Sequence, residues 1–228
     1  SNQSGSSALT QLVPGIGLTY KLNESAMLFA GVHRGFAPPR VEDAIRVDGA
    51  SVELEAELSW NREIGLRFEA EDRWRLEASL FEMDFTNQIV PASLAGGSGA
   101  TLTNAGRTLH RGAEVAAEWR DDGHALAPHA RVAWTWLPVA RYVGTRYSAI
   151  PGNTHVNISD NRLPYAARQM ATVTLGLRHG PLAAQLEGTW TGAMYGDDLN
   201  TVALTADGQR GRLGGYVIAN LTLQYQRD

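Results

Sequence analysis

Residues 182–191 read LAAQLEGTWT, and this stretch decides the class of fold. Its apolar residues recur at every second position, whereas a helix would space them three and four apart. Successive side chains of a strand point to opposite faces, so this strand has one apolar and one polar face. The same alternation appears in residues 60–70, 113–119, 171–178 and 216–225.

Across the whole chain, this period predicts nine long strands. They lie near residues 12–22, 26–36, 54–70, 74–89, 107–120, 128–138, 165–178, 182–195 and 214–225. Short polar turns, near residues 23–25, 71–73, 121–127 and 179–181, alternate with long loops rich in Gly, Pro, Ser and Asn. Outer-membrane barrels alternate short periplasmic turns with longer outer loops in the same way. We therefore predict an all-β fold, a segment of a transmembrane antiparallel β-barrel.

Aromatic residues near the strand ends favour this prediction, because such barrels carry aromatic girdles at both membrane interfaces. The residues in question are Tyr20, Trp60, Trp74, Trp119, Trp134, Trp136, Trp190, Tyr195 and Tyr225. One strand fits poorly, since the apolar face of Trp74 and Leu80 continues into Glu82 and Asp84. Either the apolar band ends near Leu80 or a bulge shifts the alternation.

A soluble antiparallel protein is the alternative, because its strands would alternate in the same way with the apolar face turned into a core. The short turns recur about every fifty residues, near the length of a kelch propeller repeat. Each period here holds two long strands and one long loop, however, and a propeller blade packs four short strands. A soluble propeller or sandwich that acts as a binding module stays open as the second hypothesis.

Composition excludes several classes. The 228 residues carry 20 Lys and Arg against 24 Asp and Glu, so the net charge of −4 offers no general field for nucleic acid. No run approaches the ~18 consecutive apolar residues of a membrane-spanning helix. With no Cys, the chain has no disulfide, thiolate metal site or cysteine nucleophile.

Five segments, in this order, resemble the C-terminal barrel of TonB-dependent outer-membrane siderophore receptors, especially those of the ferric citrate receptor type. They are GIGLTYKLNESAMLFAGVHRGFAPPR (residues 15–40), LSWNREIGLRFEA (58–70), LFEMDFTNQIVP (80–91), NAGRTLHRGAEVAAEW (104–119) and LPYAARQMATVTLGL (163–177). The resemblance implies a 22-stranded barrel of a Gram-negative outer membrane, filled by an N-terminal plug through which the TonB complex drives import. Its cargo would be a ferric-siderophore complex, with ferric citrate the best guess; cobalamin, haem or an oligosaccharide are alternatives. Iron enters only as part of the chelate, and no cofactor is expected.

We expect residues 1–228 to be part of one such barrel domain, about nine of its strands. The sequence shows no plug and no TonB box, and it ends without the terminal aromatic strand usual in the family. The expected partners are therefore the chelate, outer-membrane lipid and lipopolysaccharide, and the TonB complex through the absent plug.

No pattern indicates catalysis or a resident metal. The six histidines lack zinc spacing, and no GxSxG elbow is present. Asp197, Asp198 and Asn200 suggest calcium ligands, but we expect a solvated acidic loop because the twelve-residue ligand frame is missing. Four glutamates on the polar strand faces are expected to line the lumen or contact a plug rather than to catalyse. They are Glu63, Glu114, Glu118 and Glu187.

Arginines near the long loops are the candidate ligand contacts. Residues 137–168 carry four arginines against one acid, Asp160, which gives +3 in a chain that is −4 overall. The arginine fork suits carboxylate oxygens, and carboxylate-type ferric chelates are anionic. The alternative is that these arginines bind lipopolysaccharide phosphates or pair with nearby acids of residues 42–48. The candidates are Arg34, Arg40, Arg107, Arg111, Arg141, Arg146 and Arg162.

Overall fold

The computed structural model describes residues 10–38, 56–87, 89–91, 102–104, 106–148, 150, 152–208 and 210–226. The described residues contain no helix that is long and apolar enough to cross a membrane. The strands are β1 Gly15–Lys21, β2 Ala26–Ala37, β3 Glu57–Ala70, β4 Trp74–Thr86, β5 Ile89–Pro91, β6 Leu102–Asn104, β7 Arg107–Arg120, β8 Leu126–Val143, β9 Gln169–His179, β10 Leu182–Thr191, β11 Met194–Tyr195, β12 Arg212–Leu213 and β13 Tyr216–Tyr225.

Nine long strands form one antiparallel sheet in the order β1-β2-β3-β4-β7-β8-β9-β10-β13. They are the nine strands that the sequence predicts, and each pairs with its neighbours along the chain. The remaining strands form two small hairpins inside long loops, β5 with β6 and β11 with β12. The sheet is open, with β1 and β13 at its edges.

Short turns join the strands at one end of the sheet, and long loops join them at the other. In the first turn the Asn23 side-chain oxygen accepts hydrogen bonds from the backbone N–H groups of Ser25 (2.9 Å) and Ala26 (2.8 Å). In the turn after β7, Asp121 accepts from the N–H of Gly123 at 3.1 Å. Asx turns of this kind close a chain reversal with local bonds only. We call the two ends of the sheet the short-turn end and the long-loop end.

One face of the sheet, here the apolar face, carries exposed large apolar side chains on every long strand except β7, whose apolar side chains on this face are buried or half-buried. Cross-strand register places Leu186 opposite Leu175 on one side and Leu221 on the other, all of them exposed. Exposed large apolar side chains on so broad a face are not those of a soluble monomer's surface. Trp74 and Trp119 pair near the short-turn end with ring centroids 6.1 Å apart, where a girdle was expected.

The poorly fitting strand β4 contains no bulge. Its register is continuous from Trp74 to Thr86 against both β3 and β7. Of the two explanations, the apolar band therefore ends near Leu80, and Glu82 and Asp84 continue the same face beyond it. The register shift lies one strand further on, in the β7–β8 pair between Arg111 and Ala113.

The opposite, polar face is lined with glycines that lie under rings of the neighbouring strand. A Cβ at Gly65 would lie 2.3 Å from a ring carbon of Phe29, its cross-strand partner, and 2.6 Å from the backbone carbonyl oxygen of Ala78. A Cβ at Gly112 would lie 2.4 Å from the backbone carbonyl oxygen of Trp136 and 2.6 Å from the ring of Phe81, again the cross-strand partner. Only glycine leaves the space in which these rings lie against the sheet.

Candidate functional site

The candidate site is the long-loop end of the sheet, where β7 and β8 extend above the apolar band. A small buried cluster of Ala140, Tyr142, Ile158 and Leu163 joins the top of β8 to the loop between β8 and β9. We call this loop, residues 144–168, the first outer loop. The second outer loop, residues 192–215, connects β10 to β13 and contains the β11–β12 hairpin.

Arg162 holds the first outer loop against the top of β8. Its side chain is only 7% exposed. The guanidinium donates from Nε to the carbonyl of Ala166 at 2.7 Å and from Nη2 to those of Leu137 at 2.8 Å and Ala167 at 3.1 Å. Nη1 donates to the carbonyl of Pro138 at 3.2 Å. No pattern in the sequence indicated this structural role.

Burial, and secondarily the charge of Arg168, lower the pKa of Arg162 to about 10. The group nevertheless stays protonated at neutral pH, because that value still lies well above 7. A buried cation needs hydrogen-bonded partners, and here backbone carbonyls supply them. Arg162 is thus committed to the loop rather than presented to solvent.

The two outer loops are locked together. The backbone N–H of Arg162 donates to the side-chain oxygen of Asn200 at 2.8 Å, and Nδ2 of Asn200 donates back to the Arg162 carbonyl at 2.7 Å. Asn161 Nδ2 donates to the Asp198 carbonyl at 2.8 Å, and the Ser148 hydroxyl donates to Asp198 Oδ1 at 2.8 Å. Both outer loops therefore form one unit above β8 and β9.

The expectation of a solvated acidic loop at Asp197 and Asp198 is wrong, because their exposed fractions are 0% and 2%. Asp197 Oδ1 accepts from the backbone N–H and the hydroxyl of Thr201, at 3.2 and 3.0 Å. Asp198 is covered by Ser148 of the other loop. Among the described residues, no group of three or more His, Cys, Asp or Glu side chains is arranged to hold a metal ion.

Arg107 and Arg111 do not join this loop unit; the register places them on the apolar face. Arg107 forms a two-pronged ion pair with Asp84, with Nε–Oδ1 at 2.8 Å and Nη2–Oδ2 at 2.6 Å. Arg111 Nε donates to Glu82 at 2.5 Å, and Arg62 pairs with the other oxygen of the same carboxylate. The sequence pointed to this position, because Arg111 shares the alternation of the apolar residues of β7.

Arg34 continues this row on β2, with its guanidinium 5.8 Å from the centroid of the Trp60 ring. We call the row the arginine band; it stands on the apolar face directly above the last apolar residues. It comprises Arg34, Arg62, Arg107 and Arg111 with the carboxylates of Glu82 and Asp84.

The other candidate arginines occupy separate positions. Arg141 pairs with Asp160 of the first outer loop. The backbone N–H of Arg146 bonds to the Ser159 hydroxyl at 3.0 Å. Arg40 lies outside the described residues. The structure thus brings Arg146 and Arg162 to the first outer loop, whereas Arg141 lies near the end of β8, opposite Leu109 on the apolar face. A ligand role stays a prediction for each candidate.

The glutamates expected on the polar face do lie there. Glu114 accepts a hydrogen bond from the Thr135 hydroxyl at 3.5 Å, and Glu187 accepts one from Asn220 at 3.4 Å. On the same face Arg67 pairs with Glu77 at 2.6 Å. These charged and polar side chains on one face are what the lumen side of a barrel would carry.

Comparison with known proteins identifies this architecture. A sequence model of the family described as "TonB dependent receptor-like, beta-barrel" matches residues 1–228. The unliganded ferric citrate transporter FecA shares 22% identity at a TM-score of 0.64, over 95% of this chain and 31% of that one. The siderophore receptor PirA from Acinetobacter baumannii shares 15% at 0.63, over 93% and 34%. The ferric yersiniabactin uptake receptor FyuA from Yersinia pestis shares 18% at 0.63, over 95% and 30%. The chain spans about a third of each of these structures.

Proposed function

Because the chain belongs to the TonB-dependent receptor β-barrel family, we propose that residues 1–228 form part of the barrel domain of an outer-membrane receptor in a Gram-negative bacterium. This is a family of receptors and transporters rather than enzymes, so we expect the receptor to bind and transport a ligand. The import would be active, driven by the TonB complex acting on a plug elsewhere in the whole receptor.

The observation that carries this proposal is the combination of an exposed apolar face with two open edges. Every residue of β1 and of β13 is exposed. An unpaired strand edge leaves N–H and C=O groups without partners, which is costly in lipid. Further strands of the receptor would pair with both edges and close the barrel around the polar face.

We propose a ferric-siderophore complex as the cargo, and ferric citrate or a related carboxylate chelate as its best candidate. The positive charge of the first outer loop supports an anionic ligand, and Arg146 is a candidate contact within that loop. Arg162 would act by holding the loop, since its donors already serve backbone carbonyls. Cobalamin, haem or an oligosaccharide are the alternative cargoes.

The test is uptake by the whole receptor that contains this chain. In a strain without other iron receptors, its expression is expected to restore accumulation of radiolabelled iron from an anionic ferric chelate, and deletion of TonB is expected to abolish it. Uptake of labelled cobalamin or haem in place of iron would reassign the cargo. Uptake that persists without TonB would refute the transport mechanism.

In the same receptor, Arg146→Ala is expected to weaken binding of ferric citrate more than binding of an uncharged ferric chelate. A matched control is Arg75→Ala, an exposed arginine of the polar face at the short-turn end. Equal effects of the two substitutions would remove Arg146 from the ligand site.

A further inference from the structure

A pocket of about 450 Å³ lies on the polar face at the short-turn end, where β7 to β10 and β13 run side by side. Its floor follows one cross-strand row, in which the successive partners are Arg120, His129, Gly176, Gln185 and Thr222. A Cβ at Gly176 would lie 2.0 Å from a ring carbon of His129. Because Gly176 has no side chain, the imidazole lies close to the sheet and the pocket stays open beside it.

The pocket presents hydrogen-bond donors that the described residues leave unused. Arg178 donates from Nη2 to Asp122 Oδ1 at 3.4 Å, and its side chain is 62% exposed. Arg120 Nε lies 3.7 Å from the other oxygen of the same carboxylate. Three further side chains of the lining make no hydrogen bond within the described part of the chain: Gln185, Thr222 and Gln224. Each guanidinium has five N–H donors, so both arginines keep donors for a ligand.

Charge separates the part of the polar face above this pocket from the rest. On β3, β4 and β7 this face carries six acids against three arginines, or −3, whereas on β8, β9, β10 and β13 it carries one acid against two arginines, or +1. The first group is Glu57, Glu63, Glu69, Glu77, Glu114 and Glu118 with Arg67, Arg75 and Arg120, and the second is Glu187 with Arg131 and Arg178. An anion that moves along the wall is therefore repelled from the first group of strands and not from the second. The positive first outer loop lies above the second group as well.

We propose that this pocket is an exit site, which holds the anionic chelate at the inner mouth of the barrel before its release. The inference rests on the proposed function and deepens it, because it gives the same cargo a second binding site at the opposite end of the wall. Its volume falls in the range of small-molecule sites, about 300–1,000 Å³.

The lining indicates a small carboxylate that also carries hydroxyl groups. The planar forks of Arg120 and Arg178 suit carboxylate oxygens. The amides of Gln185 and Gln224 both donate and accept hydrogen bonds, as a hydroxyl group does.

The experiment uses the full-length receptor in detergent, with iron-free radiolabelled citrate as the probe and equilibrium dialysis as the measurement. The double variant Arg120→Gln, Arg178→Gln is expected to bind citrate at least about tenfold more weakly, because two charged donors are lost. A second variant, Ala183→Trp, fills the pocket without a change of charge and is expected to reduce citrate binding as well. In cells, both variants are expected to import the ferric chelate at least about fivefold more slowly, with unchanged affinity at the outer loops.

The matched control is Arg75→Gln, which removes an arginine of the same face and the same end from outside the pocket. Its side chain is 61% exposed, against 62% for Arg178. Citrate binding and import are expected to be unchanged in this variant.

Citrate binding by the double variant within twofold of the unaltered receptor, or an equal loss in the control, would overturn the proposal. Import at the unaltered rate in both pocket variants would overturn the role in exit. Failure of the unaltered receptor to bind citrate would overturn the proposal too, and would leave the pocket to the plug.

The variant Arg146→Ala keeps this test apart from that of the proposed function. It is expected to weaken binding of the ferric chelate at the outer loops and to leave citrate binding in the pocket unchanged. Citrate binding that depends on Arg120 and Arg178, in a receptor that imports no anionic chelate, would refute the proposed cargo while it supports an anion site here.

Discussion

Replacement of Arg162 by Ala should open the two outer loops. The guanidinium makes four hydrogen bonds to backbone carbonyls. Bonds to charged groups contribute about 1.5–3 kcal/mol each, so even two that water does not replace correspond to about 3–6 kcal/mol. A loss of about 3 kcal/mol raises the open fraction of the loops on the order of 100-fold.

Limited proteolysis measures this opening. Tyr147 and Tyr165 lie in the first outer loop with exposed side chains, and chymotrypsin cleaves after tyrosine once the backbone around it unfolds locally. We expect Arg162→Ala to be cleaved there on the order of 100 times faster than the unaltered receptor. Arg162→Lys should lie between the two, because an ammonium offers three donors for four carbonyls.

The control is Arg141→Ala, which removes an arginine from an exposed ion pair with Asp160 in the same loop. Exposed pairs contribute about 0–1 kcal/mol, so cleavage should rise by less than about fivefold. If Arg162→Ala is cleaved no faster than Arg141→Ala, the structural role assigned to Arg162 is refuted. A loss of affinity confined to anionic chelates, with intact loops, would return Arg162 to the ligand site.

Three further predictions concern the sheet and its turns. Leu186→Arg should destabilise the barrel in lipid by about 2–4 kcal/mol, as arginine does at the lipid face near the bilayer midplane. Gln185→Arg, on the polar face, should have little effect. Equal free energies of unfolding for the two variants in liposomes would contradict the assignment of faces. Gly65→Val should cost more than about 2 kcal/mol, because a Cβ there would overlap the Phe29 ring and lie 2.6 Å from the backbone carbonyl oxygen of Ala78. Phe29→Ala in the double variant should restore only part of the stability, since the overlap with the carbonyl remains, and a single variant that melts like the parent would exclude the overlap. The pKa of Asp121 is lowered below its ordinary 3.8, chiefly by the hydrogen bond from Gly123. The charged carboxylate therefore stabilises the turn fully above the ordinary pKa, and this stabilisation is lost as the pH falls through the lowered pKa. Asp121→Asn should make proteolysis of the turn less dependent on acid pH. An unchanged pH dependence would exclude Asp121 as its cause.

The sheet could be predicted from the sequence because each strand carries its own evidence. Alternation within a strand fixes which side chains share a face, and a short polar turn fixes the neighbour, so no long-range information is needed. The limits of β8 were less accurate: the predicted strand covers residues 128–138, yet the strand runs from Leu126 to Val143. Pro138 lies beside the register shift in the β7–β8 pair, where proline is tolerated.

The outer loops could not be predicted in the same way, because their partners are distant in sequence. The hydroxyl that covers Asp198 belongs to Ser148, fifty positions earlier. The carbonyls that hold Arg162 come from two separate segments. Loop composition suggested solvated charges, whereas contacts between the loops buried them. The face on which Arg111 lies could have been predicted from the alternation of β7. Counting charges alone, without regard to alternation, grouped it with the loop arginines.

The glycines under Phe29 and Phe81 have a consequence for how this wall diverges in evolution. A larger side chain at Gly65 or Gly112 needs the opposite ring to shrink or leave and also needs the backbone carbonyl of Ala78 or Trp136 to shift, so the two positions of each pair are expected to change together. Among distantly related members of the family, such pairs should change together: where one member has an aromatic residue opposite glycine, another should have two residues of intermediate size. Other cross-strand pairs on the polar face, which contain no glycine under a ring, are expected to vary independently of each other.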